Sequence, residues 1–514
     1  MSFRRLLHNE SRWPPALSPL ATIRDFKDNP IGTQVAVLRD LMHRASKTEW
    51  GLRFGFSEIA AAPNPMDIYR ERMPIHSYEA FRSDVERIRK GEQDITWPGS
   101  FNHFAISSGT ASAGKIIPLS NRMLTINRKF TLAVALSYFE ATADPSFFMG
   151  RLLSIPGRVE EDPHHPGSMI GEVSGLQFLF APWAVKKFYQ AVPQEILFLP
   201  NWEQKLDAMV QHTLHMDIRA IAMVPSWAIV LFRKLIAAYN KETGSNVQSV
   251  SEVWPNLKVF FSGGVALSSY RALLEQQVGG PLDFMESYGA SEGYISFQDD
   301  PTTDDMLMHL DSGVYFEFEP LDGTRKRISL EGVETGIRYR ILVSTCSGLW
   351  GYEVGDVIKF TSVNPYRIVV SGRTSEMLDK YGEAVYGDEA RAALRKACEL
   401  TGAKIANFHI SPLPVSSETL PGHEWLIEFE SDPHDENKFS QIIDDYLQEV
   451  NRHYVIRREA GAFLPPSISS LNQGTFYSWL LKTKKTVSAQ TKIPRMSEER
   501  EIADALLSIS GNNT

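Results

Sequence analysis

Residues 219–278 decide the fold class of this 514-residue chain. The run Arg219–Val224 (RAIAMV) is typical of a buried strand, and Trp227–Tyr239 (WAIVLFRKLIAAY) has the length and apolar content of a helix. Leu257–Phe261 (LKVFF) predicts a second strand, and Ser268–Val278 (SSYRALLEQQV) predicts a second helix. This alternation of short strands with helices favours an α/β architecture.

Composition and charge narrow the class of protein. The chain is 43% hydrophobic and 22% charged, which is ordinary for a globular protein, and its net charge of −9 gives no electrostatic footprint for nucleic acid. Two cysteines, Cys346 and Cys398, are too few for a disulfide framework or a Cys-rich zinc site. The most apolar run, Ala220–Phe232, contains Pro225 and is too short to span a bilayer, and no apolar segment typical of a secretory signal follows the basic N-terminus. We therefore expect a cytoplasmic protein that binds neither nucleic acid nor membrane.

Shifts in pattern along the chain predict two domains. Residues 33–95 have mostly helical spacing, and closely spaced strands are predicted between 325 and 372. After Gly372 a set of strands and helices follows that is large enough to fold as a small domain, with a basic tail that we expect to be rich in loops. We place the boundary between a domain of residues 1–371 and a domain of residues 372–514, at a Ser/Gly-containing segment that is also compatible with a plain loop.

A second stretch carries the first functional signal. Residues Ser107–Lys115 (SSGTASAGK) hold four hydroxyls, two glycines and a lysine, directly after the strand-like run Phe101–Ile106. Backbone N–H groups, hydroxyls and a lysine charge together suit a phosphate. Ile116 stands where a P-loop needs Ser or Thr, and the following Ile117-Pro118 disfavours a helix, so we predict a phosphate-binding loop between two strands. A Ser/Gly-rich surface turn explains this stretch alone about as well.

Two further motifs follow predicted strands. Gly263-Gly264 ends a strand, where the absence of side chains lets a flat base approach the backbone. Tyr288-Gly289-Ala290-Ser291-Glu292 combines a ring, a hydroxyl and a carboxylate, which can stack on a base, contact a phosphate and hold a divalent cation. The alternatives are a tight strand–helix turn for the first motif, and a core tyrosine with a solvated glutamate for the second.

The last two motifs lie in the C-terminal third of the chain. Asp356, in Gly355-Asp356, can accept hydrogen bonds from both hydroxyls of a ribose, although Gly-Asp is also a common hairpin turn. Lys492, in Gln490-Thr491-Lys492-Ile493-Pro494-Arg495, can neutralise charge on a carboxylate–phosphate pair. A basic, solvated tail is the alternative for that segment.

The order and spacing of these motifs resemble the adenylate-forming superfamily, and more specifically the Gretchen Hagen family of acyl acid amido synthetases. That family is known from plant hormone conjugation and is also present in bacteria, and the chain is similar to a bacterial-type member. The resemblance covers roughly residues 70–496, and Gln490-x-Lys492-x-Pro494-Arg495 is its most specific part. It is also carried by Met73-Pro74-Ile75 through Tyr78, Arg87–Glu92, Phe148-Met149-Gly150, Val224-Pro225-Ser226-Trp227, Gly348-Leu349-Trp350 and Gly474-Thr475-Phe476.

The resemblance implies a large N-terminal α/β domain of the adenylate-forming type and a smaller, mobile C-terminal α+β lid domain. It implies a ligase that uses ATP and Mg²⁺ to adenylate a small carboxylic acid and then transfers the acyl group to an amine, most often an amino acid. The implied roles are phosphate binding by Ser107, Ser108, Gly109, Thr110 and Lys115; adenine binding by Gly263, Gly264 and Tyr288; α-phosphate contact by Ser291; Mg²⁺ binding by Glu292; ribose binding by Asp356 and Arg373; and contact with the reacting carboxylate and phosphate by Lys492.

The sequence also departs from the family pattern. Ala111 replaces a usual hydroxyl, Gly351 and Glu353 replace basic residues beside Gly-Asp, and Ser375 replaces a charged hinge residue. These departures leave open a catalytically degenerate nucleotide-binding protein, and the acyl acceptor of an active enzyme could instead be coenzyme A or a carrier-protein thiol. A metal hydrolase built on His164-His165 is the weakest alternative, because its ligand-type residues lack helical i, i+4 spacing.

Overall fold

A computed structural model of the protein describes residues 18–107, 115–163, 165–264, 267–321, 326–373, 377–378, 380–381, 383–413, 420–483 and 493–511. The chain divides into two compact units. The first comprises Met1–Val265, Gly280–Val354 and Ile358–Val369, and the second comprises Ala266–Gly279, Gly355–Val357 and Val370–Thr514. The predicted boundary at residue 371 stays a prediction.

Helices dominate the first hundred described residues and recur between the strands that follow. In chain order they are α1 (Ser18–Asp28), α2 (Pro30–Ala45), α3 (Glu49–Phe54), α4 (Phe56–Ala61), α5 (Pro65–Arg72), α6 (Glu79–Arg89), α7 (Asn121–Thr142), α8 (Val173–Leu179), α9 (Trp183–Phe188), α10 (Gln194–Leu197), α11 (Trp202–Thr213), α12 (Pro225–Thr243), α13 (Val250–Val253), α14 (Arg271–Val278), α15 (Gly387–Thr401), α16 (Glu436–Val450), α17 (Arg452–Glu459), α18 (Thr475–Thr483) and α19 (Glu501–Gly511).

The strands group into four sheets within the described part of the chain. In chain order they are β1 (His103–Ser107), β2 (Lys115–Pro118), β3 (Arg151–Ser154), β4 (Val159–Glu161), β5 (Met169–Gly171), β6 (Ile218–Met223), β7 (Val259–Gly263), β8 (Asp283–Ala290), β9 (Gly293–Phe297), β10 (Met306–Met308), β11 (Val314–Pro320), β12 (Ile328–Ser329), β13 (Arg338–Thr345), β14 (Tyr352–Val363), β15 (Tyr366–Arg373), β16 (Met377–Leu378), β17 (Val385–Tyr386), β18 (Lys404–Pro412), β19 (His423–Ser431) and β20 (Ser467–Leu471).

An eleven-stranded sheet runs in the order β12-β11-β13-β14-β15-β10-β9-β8-β7-β6-β3. The strands β3, β6, β7 and β8 pair in parallel, whereas β8, β9 and β10 pair antiparallel. Helix α7 packs on the parallel part, where Tyr138 and Phe139 contact buried Ala220, Val259 and Met285. This half of the sheet confirms the predicted α/β alternation, and it brings the carboxyl ends of four strands to one edge.

Local sequence explains the ends of the elements that flank this edge. Helix α12 begins at Pro225, whose missing N–H costs nothing in the first turn, and ends at Gly244, whose φ of +68° is left-handed. Helix α7 begins after Ser120, whose hydroxyl accepts a hydrogen bond from the N–H of Met123. The strand–helix junctions are therefore set by short-range chemistry.

A smaller sheet in the first unit has the order β2-β1-β5-β4. Strands β1 and β2 are antiparallel neighbours, with Ser107 opposite Lys115. The segment between them, which contains most of the predicted phosphate-binding loop, lies outside the described residues. Lys115 begins a strand rather than a helix, as the sequence predicts.

The second unit contains the three-stranded sheet β18-β19-β20, in which β18 and β19 are antiparallel and β19 and β20 are parallel. Helices α15 and α16 cover it through buried Leu394 and Ile443. The expected loop-rich tail is wrong for much of its length, because β20, α18 and α19 lie within it. Phe476 of α18 and Leu506 of α19 are buried in the same apolar cluster.

Candidate active site

Lys115 occupies the end of β2 that is nearest the predicted phosphate-binding loop. The hydroxyl of Tyr78 holds the next residue in place, because it accepts a hydrogen bond from the Ile116 N–H at 2.9 Å and donates to the Ile116 carbonyl at 3.1 Å. The Nζ of Lys115 lies 3.2 Å from the hydroxyl of Tyr352 and 5.6 Å from the centre of its ring. The lysine charge is thus placed over a buried tyrosine.

Ser291 and Glu292 form the two-residue turn between β8 and β9, in which Ala290 is opposite Gly293. The carboxylate of Glu292 is buried and hydrogen-bonds to the hydroxyl of Tyr352. Burial and the negative charge of Glu292 raise the pKa of Tyr352 far above its usual range, so the hydroxyl keeps its proton and donates a hydrogen bond to the carboxylate. Lys115, Tyr352 and Glu292 therefore form a continuous chain of hydrogen bonds.

The backbone on both sides of Tyr352 is hydrogen-bonded to His76. The N–H of His76 donates to the Gly351 carbonyl at 2.8 Å, and the N–H of Glu353 donates to the His76 carbonyl at 2.9 Å. The Nδ1 of His76 donates to the Trp350 carbonyl at 2.9 Å. Burial lowers the pKa of His76, so its ring tends to remain neutral in this position. This backbone ladder fixes the direction in which the Tyr352 side chain enters the site.

Two departures from the family pattern have local explanations. A Cβ at Gly351 would lie 2.6 Å from the Pro74 carbonyl oxygen, and the φ of Gly351 is +53°, so a larger side chain does not fit here. The carboxylate of Glu353 pairs with Arg340 at 3.1 Å. Arg340 of the neighbouring strand β13 therefore places a basic side chain beside Glu353.

Gly263 ends β7 opposite Ser287 of β8. A Cβ on Gly263 would lie 3.3 Å from the Ser287 Oγ, which itself donates to the Ser262 carbonyl at 3.0 Å. Gly264 follows with a φ of +85°. The Oγ of Ser262 is buried and has no hydrogen-bond partner among the described residues. Two glycines and an unsatisfied hydroxyl at a sheet edge fit the approach of a flat, hydrogen-bonding ligand.

Tyr288 lies one residue further along β8, opposite Ser296 of β9, and is buried. The sequence predicts that Tyr288–Glu292 follows a strand, and this is wrong for the first three residues, which are paired within β8. A Cβ on Gly289 would lie 2.5 Å from the Tyr294 ring, so the glycine permits this ring to lie against the strand. The motif forms a hairpin with Ser291 and Glu292 at its turn.

The remaining predicted site residues are distributed as follows. Asp356 lies inside β14 after Gly355, whose φ is +93°, so the hairpin turn given as the alternative for Gly-Asp is wrong here. Residues 355–357 are grouped with the second unit. Arg373 is the last residue of β15, and only its backbone is described. Ser107 ends β1, and its side chain is not described, while Ser108, Gly109, Thr110 and Lys492 lie outside the described residues.

Sequence reasoning missed Tyr352 and His76 as site residues. Tyr352 stands four positions before Asp356. In this stretch, sequence reasoning considered only the carboxylate of Asp356 and the replacement of basic residues by Gly351 and Glu353. Its link to Lys115 and Glu292 joins three distant parts of the chain, and no local pattern indicates such a link.

Glu292 and Lys115 suit the metal and the phosphates of a bound nucleotide. A carboxylate oxygen is a preferred Mg²⁺ ligand, and an ammonium group is a preferred phosphate partner. No group of three or more His, Cys, Asp or Glu side chains suited to hold a metal ion occurs in the described ranges. A nucleotide phosphate would have to complete the coordination of a metal on Glu292. Of the helices described, none is long and apolar enough to cross a membrane.

Three family models match the chain. They are the GH3 family N-terminal domain over residues 19–180 and 181–283, the GH3 family central domain over residues 307–373, and the GH3 family C-terminal domain over residues 388–501. Together these matches cover most of the 514 residues.

The curated relatives include plant amido synthetases. The chain is 22% identical to indole-3-acetic acid-amido synthetase GH3.3 of Arabidopsis thaliana, with 89% of this chain and 87% of the relative covered. It is 28% identical to probable indole-3-acetic acid-amido synthetase GH3.1 of the same plant, with 80% of this chain and 79% of the relative covered. Whether the chain is a bacterial-type member stays a prediction.

Solved structures with the same fold include the GH3.15 acyl acid amido synthetase, with a TM-score of 0.78, 20% identity and 95% of each chain covered. The fold is also shared with 2-hydroxyisobutyryl-CoA ligase in complex with an acyl-AMP, with a TM-score of 0.58, 15% identity, 93% of this chain covered and 91% of that chain. The predicted fold class is confirmed. Because family models match its N-terminal, central and C-terminal parts in order, the chain belongs to the GH3 family.

Proposed function

We propose that this protein is an ATP-dependent ligase that adenylates a small carboxylic acid and joins the acyl group to the amine of an amino acid. Membership of the GH3 family and the amido synthetase names of its relatives support this reaction. The observation that carries the proposal is the chain of contacts from Lys115 through Tyr352 to Glu292, together with the glycine pair at the end of β7, the strand that pairs with β8.

The reaction has two steps. A carboxylate oxygen of the acid attacks the α-phosphorus of ATP, the bond to the β-phosphate oxygen breaks, and pyrophosphate leaves. The amine nitrogen then attacks the acyl carbon, the carbon–oxygen bond to AMP breaks, and the amine loses a proton as the amide forms. No protein nucleophile is required, so positioning and charge neutralisation supply the rate enhancement.

Each predicted site residue has a place in this proposal. The adenine lies against Gly263 and Gly264 and stacks on Tyr288, while the ribose is held by Asp356 and Arg373. The phosphates are bound by Ser107, Ser108, Gly109, Thr110 and Lys115. Ser291 contacts the α-phosphate, Glu292 holds Mg²⁺, and Lys492 contacts the reacting carboxylate and phosphate. When bound, Mg²⁺ neutralises phosphate charge during the first step.

Tyr352 has a role of its own in this proposal. Its hydroxyl holds Glu292 and Lys115 apart at a fixed spacing, so that the metal ligand and the phosphate ligand are positioned before the nucleotide arrives. Pre-organised charges of this kind require no rearrangement at the moment of reaction.

The proposal also includes the domain division and the location of the protein. Residues 1–371 form the nucleotide- and acyl-binding domain, and residues 372–514 form a mobile lid that excludes water from the acyl-adenylate. A cytoplasmic location fits the two cysteines, which are both free thiols.

The test is a panel of carboxylic acids in an ATP–pyrophosphate exchange assay, run before any acceptor is added. We expect at least one acid to support exchange, and we expect Lys492→Ala to slow that exchange by ~10²–10³-fold, because it removes a cation beside the reacting phosphate. The matched control is Lys482→Ala, since Lys482 is an exposed lysine of helix α18 in the same tail.

The acceptor is then identified by adding amino acids or coenzyme A to the enzyme after it has formed the acyl-adenylate. Amide formation with an amino acid supports the proposal. Thioester formation with coenzyme A would replace its second step. ATP binding without any acid-dependent exchange would instead indicate a degenerate nucleotide-binding protein.

A further inference from the structure

Arg495 is a cation of the second unit whose described hydrogen-bond acceptors are all uncharged. Its guanidinium donates to the Phe408 carbonyl at 3.2 Å, to the Asn407 Oδ1 at 3.5 Å and to the Tyr270 hydroxyl. The rings of Tyr270 and Phe408 lie with their centres 5.4 and 4.9 Å from the guanidinium carbon. Burial lowers the pKa of Arg495 to about 10, because holding a charge away from water costs free energy.

The backbone around Arg495 is fixed as well. The Nδ1 of His409 donates to the Pro494 carbonyl at 2.8 Å, and the N–H of Ile410 donates to the Arg495 carbonyl at 2.8 Å. The N–H of Ser497 donates to the Ile410 carbonyl at 3.0 Å. Residues 494–497 therefore lie along β18 like a short added strand.

The aromatic ring that Arg495 contacts also has a defined place in the chain. Tyr270 is buried and directly precedes helix α14, six residues after Gly264. Lys492 is three residues before Arg495, and three residues of extended chain span at most ~11 Å. The arginine thus links the residue before helix α14 to strand β18, and only three residues of sequence separate it from Lys492.

We propose that Arg495 is a positioning residue, which uses the Tyr270–Phe408 clamp to hold the main chain from which Lys492 reaches the reacting carboxylate and phosphate. This inference rests on the proposed function of Lys492. A methionine or leucine would fill the same space without the desolvation of a charge, so packing alone does not account for an arginine. Its planar fork supplies direction as well as volume, because it donates to a hydroxyl and a carbonyl while its carbon lies over two rings.

The experiment is a double-mutant cycle in the full-length protein, with acid-dependent pyrophosphate exchange as the readout. Arg495→Gln is compared in the parental and Lys492→Ala backgrounds, and Tyr270→Phe provides a milder variant that removes only the hydroxyl. Lys404→Gln is the matched control, because the Nζ of Lys404 donates to the Gln276 Oε1 at 2.6 Å and so joins the same strand, β18, to the same helix, α14.

We expect Arg495→Gln to lower kcat by roughly 10–100-fold in the parental protein, because a displacement of about 1 Å at the reacting centre has that effect. In the Lys492→Ala background we expect a further loss below about threefold, since the lysine through which Arg495 acts is gone. Tyr270→Phe should show the same pattern with a smaller loss, and Lys404→Gln should match the parental protein.

The inference would be overturned if Arg495→Gln caused the same fold-loss in the Lys492→Ala background as in the parental background, and if Tyr270→Phe did so too. Arg495 would then act independently of Lys492. In that case the proposed function would stand, provided that Lys492→Ala alone is impaired. Exchange by Lys492→Ala at the parental rate would instead overturn the role of the lysine, and the positioning role of Arg495 with it.

Discussion

At the scale of single residues, Tyr352 joins Lys115, the proposed phosphate ligand, to Glu292, the proposed metal ligand. Tyr352→Phe removes the hydroxyl that Lys115 and Glu292 share, and hydrogen bonds to charged groups contribute about 1.5–3 kcal/mol. We expect kcat/KM for ATP in the exchange assay to fall roughly 10–100-fold, with half-maximal rate at a higher Mg²⁺ concentration.

Tyr138→Phe is the matched control for this prediction. The Tyr138 hydroxyl donates to the Asp283 carboxylate at 2.7 Å, so the chemical change and the type of partner are the same. Identical Mg²⁺ dependence in the Tyr352 variant and the parental protein would remove Tyr352 from the positioning of Glu292.

His309 is a second residue with a measurable consequence. It is buried against the rings of Phe26, Phe130 and Phe297, and burial lowers its pKa to about 4. An unfolded histidine has a pKa of about 6.5, so between pH 6.5 and 4 the unfolded chain binds a proton that the folded protein excludes. Stability from the neutral ring is therefore present above pH 6.5 and is lost as the pH falls.

As the pH is lowered from about 6.5 to 4, we expect the free energy of unfolding to decrease less steeply in His309→Phe than in the parental protein. The two slopes should differ by about 1.4 kcal/mol per pH unit. Denaturant unfolding at several pH values measures this difference. Above pH 7 the ring is neutral in both states, and the two curves should run parallel there. A parallel course at pH 5 as well would show that His309 does not exclude a proton in the folded protein.

At the scale of elements, the turn after β7 is where we propose that the adenine approaches the sheet edge. Gly264 has a φ of +85°, and Gly244, at the end of helix α12, has a φ of +68°. An alanine in the left-handed region costs about 1–2 kcal/mol, so Gly264→Ala and Gly244→Ala should lose similar stability. We expect only Gly264→Ala to raise the KM for ATP, by roughly tenfold, which corresponds to ~1.4 kcal/mol of binding. Equal KM values in the two variants would contradict a nucleotide contact at this turn.

The same elements show what local sequence can and cannot predict. The strands and helices between 219 and 278 were predictable, because their apolar spacing is a property of the segment itself. The hairpin turn that was the alternative for Gly355-Asp356 is wrong, because both residues lie inside the long strand β14, between β13 and β15, although the φ of Gly355 is +93°. Similarly, Tyr288 is paired with β9, a contact that its own five-residue motif does not encode.

At the scale of the whole molecule, the family and the fold class were predictable from the order of the motifs. The predicted residues Lys115 and Glu292 are brought into one network, but the tyrosine that joins them was not predictable. Tyr352 depends on where β14 lies relative to β2, and on the backbone ladder with His76, both of which arise only when the complete first unit is folded. The roles of individual residues stay predictions.

The central claim is that short segments, far apart in the chain, form one pocket in which an acid is joined to AMP. A crystal structure of the protein with ATP and Mg²⁺ tests it most directly. The account predicts adenine against Gly263-Gly264 and Tyr288, phosphates at Lys115, and the metal on Glu292. A nucleotide bound elsewhere on the molecule, with Glu292 and Lys115 still joined only through Tyr352, would contradict it.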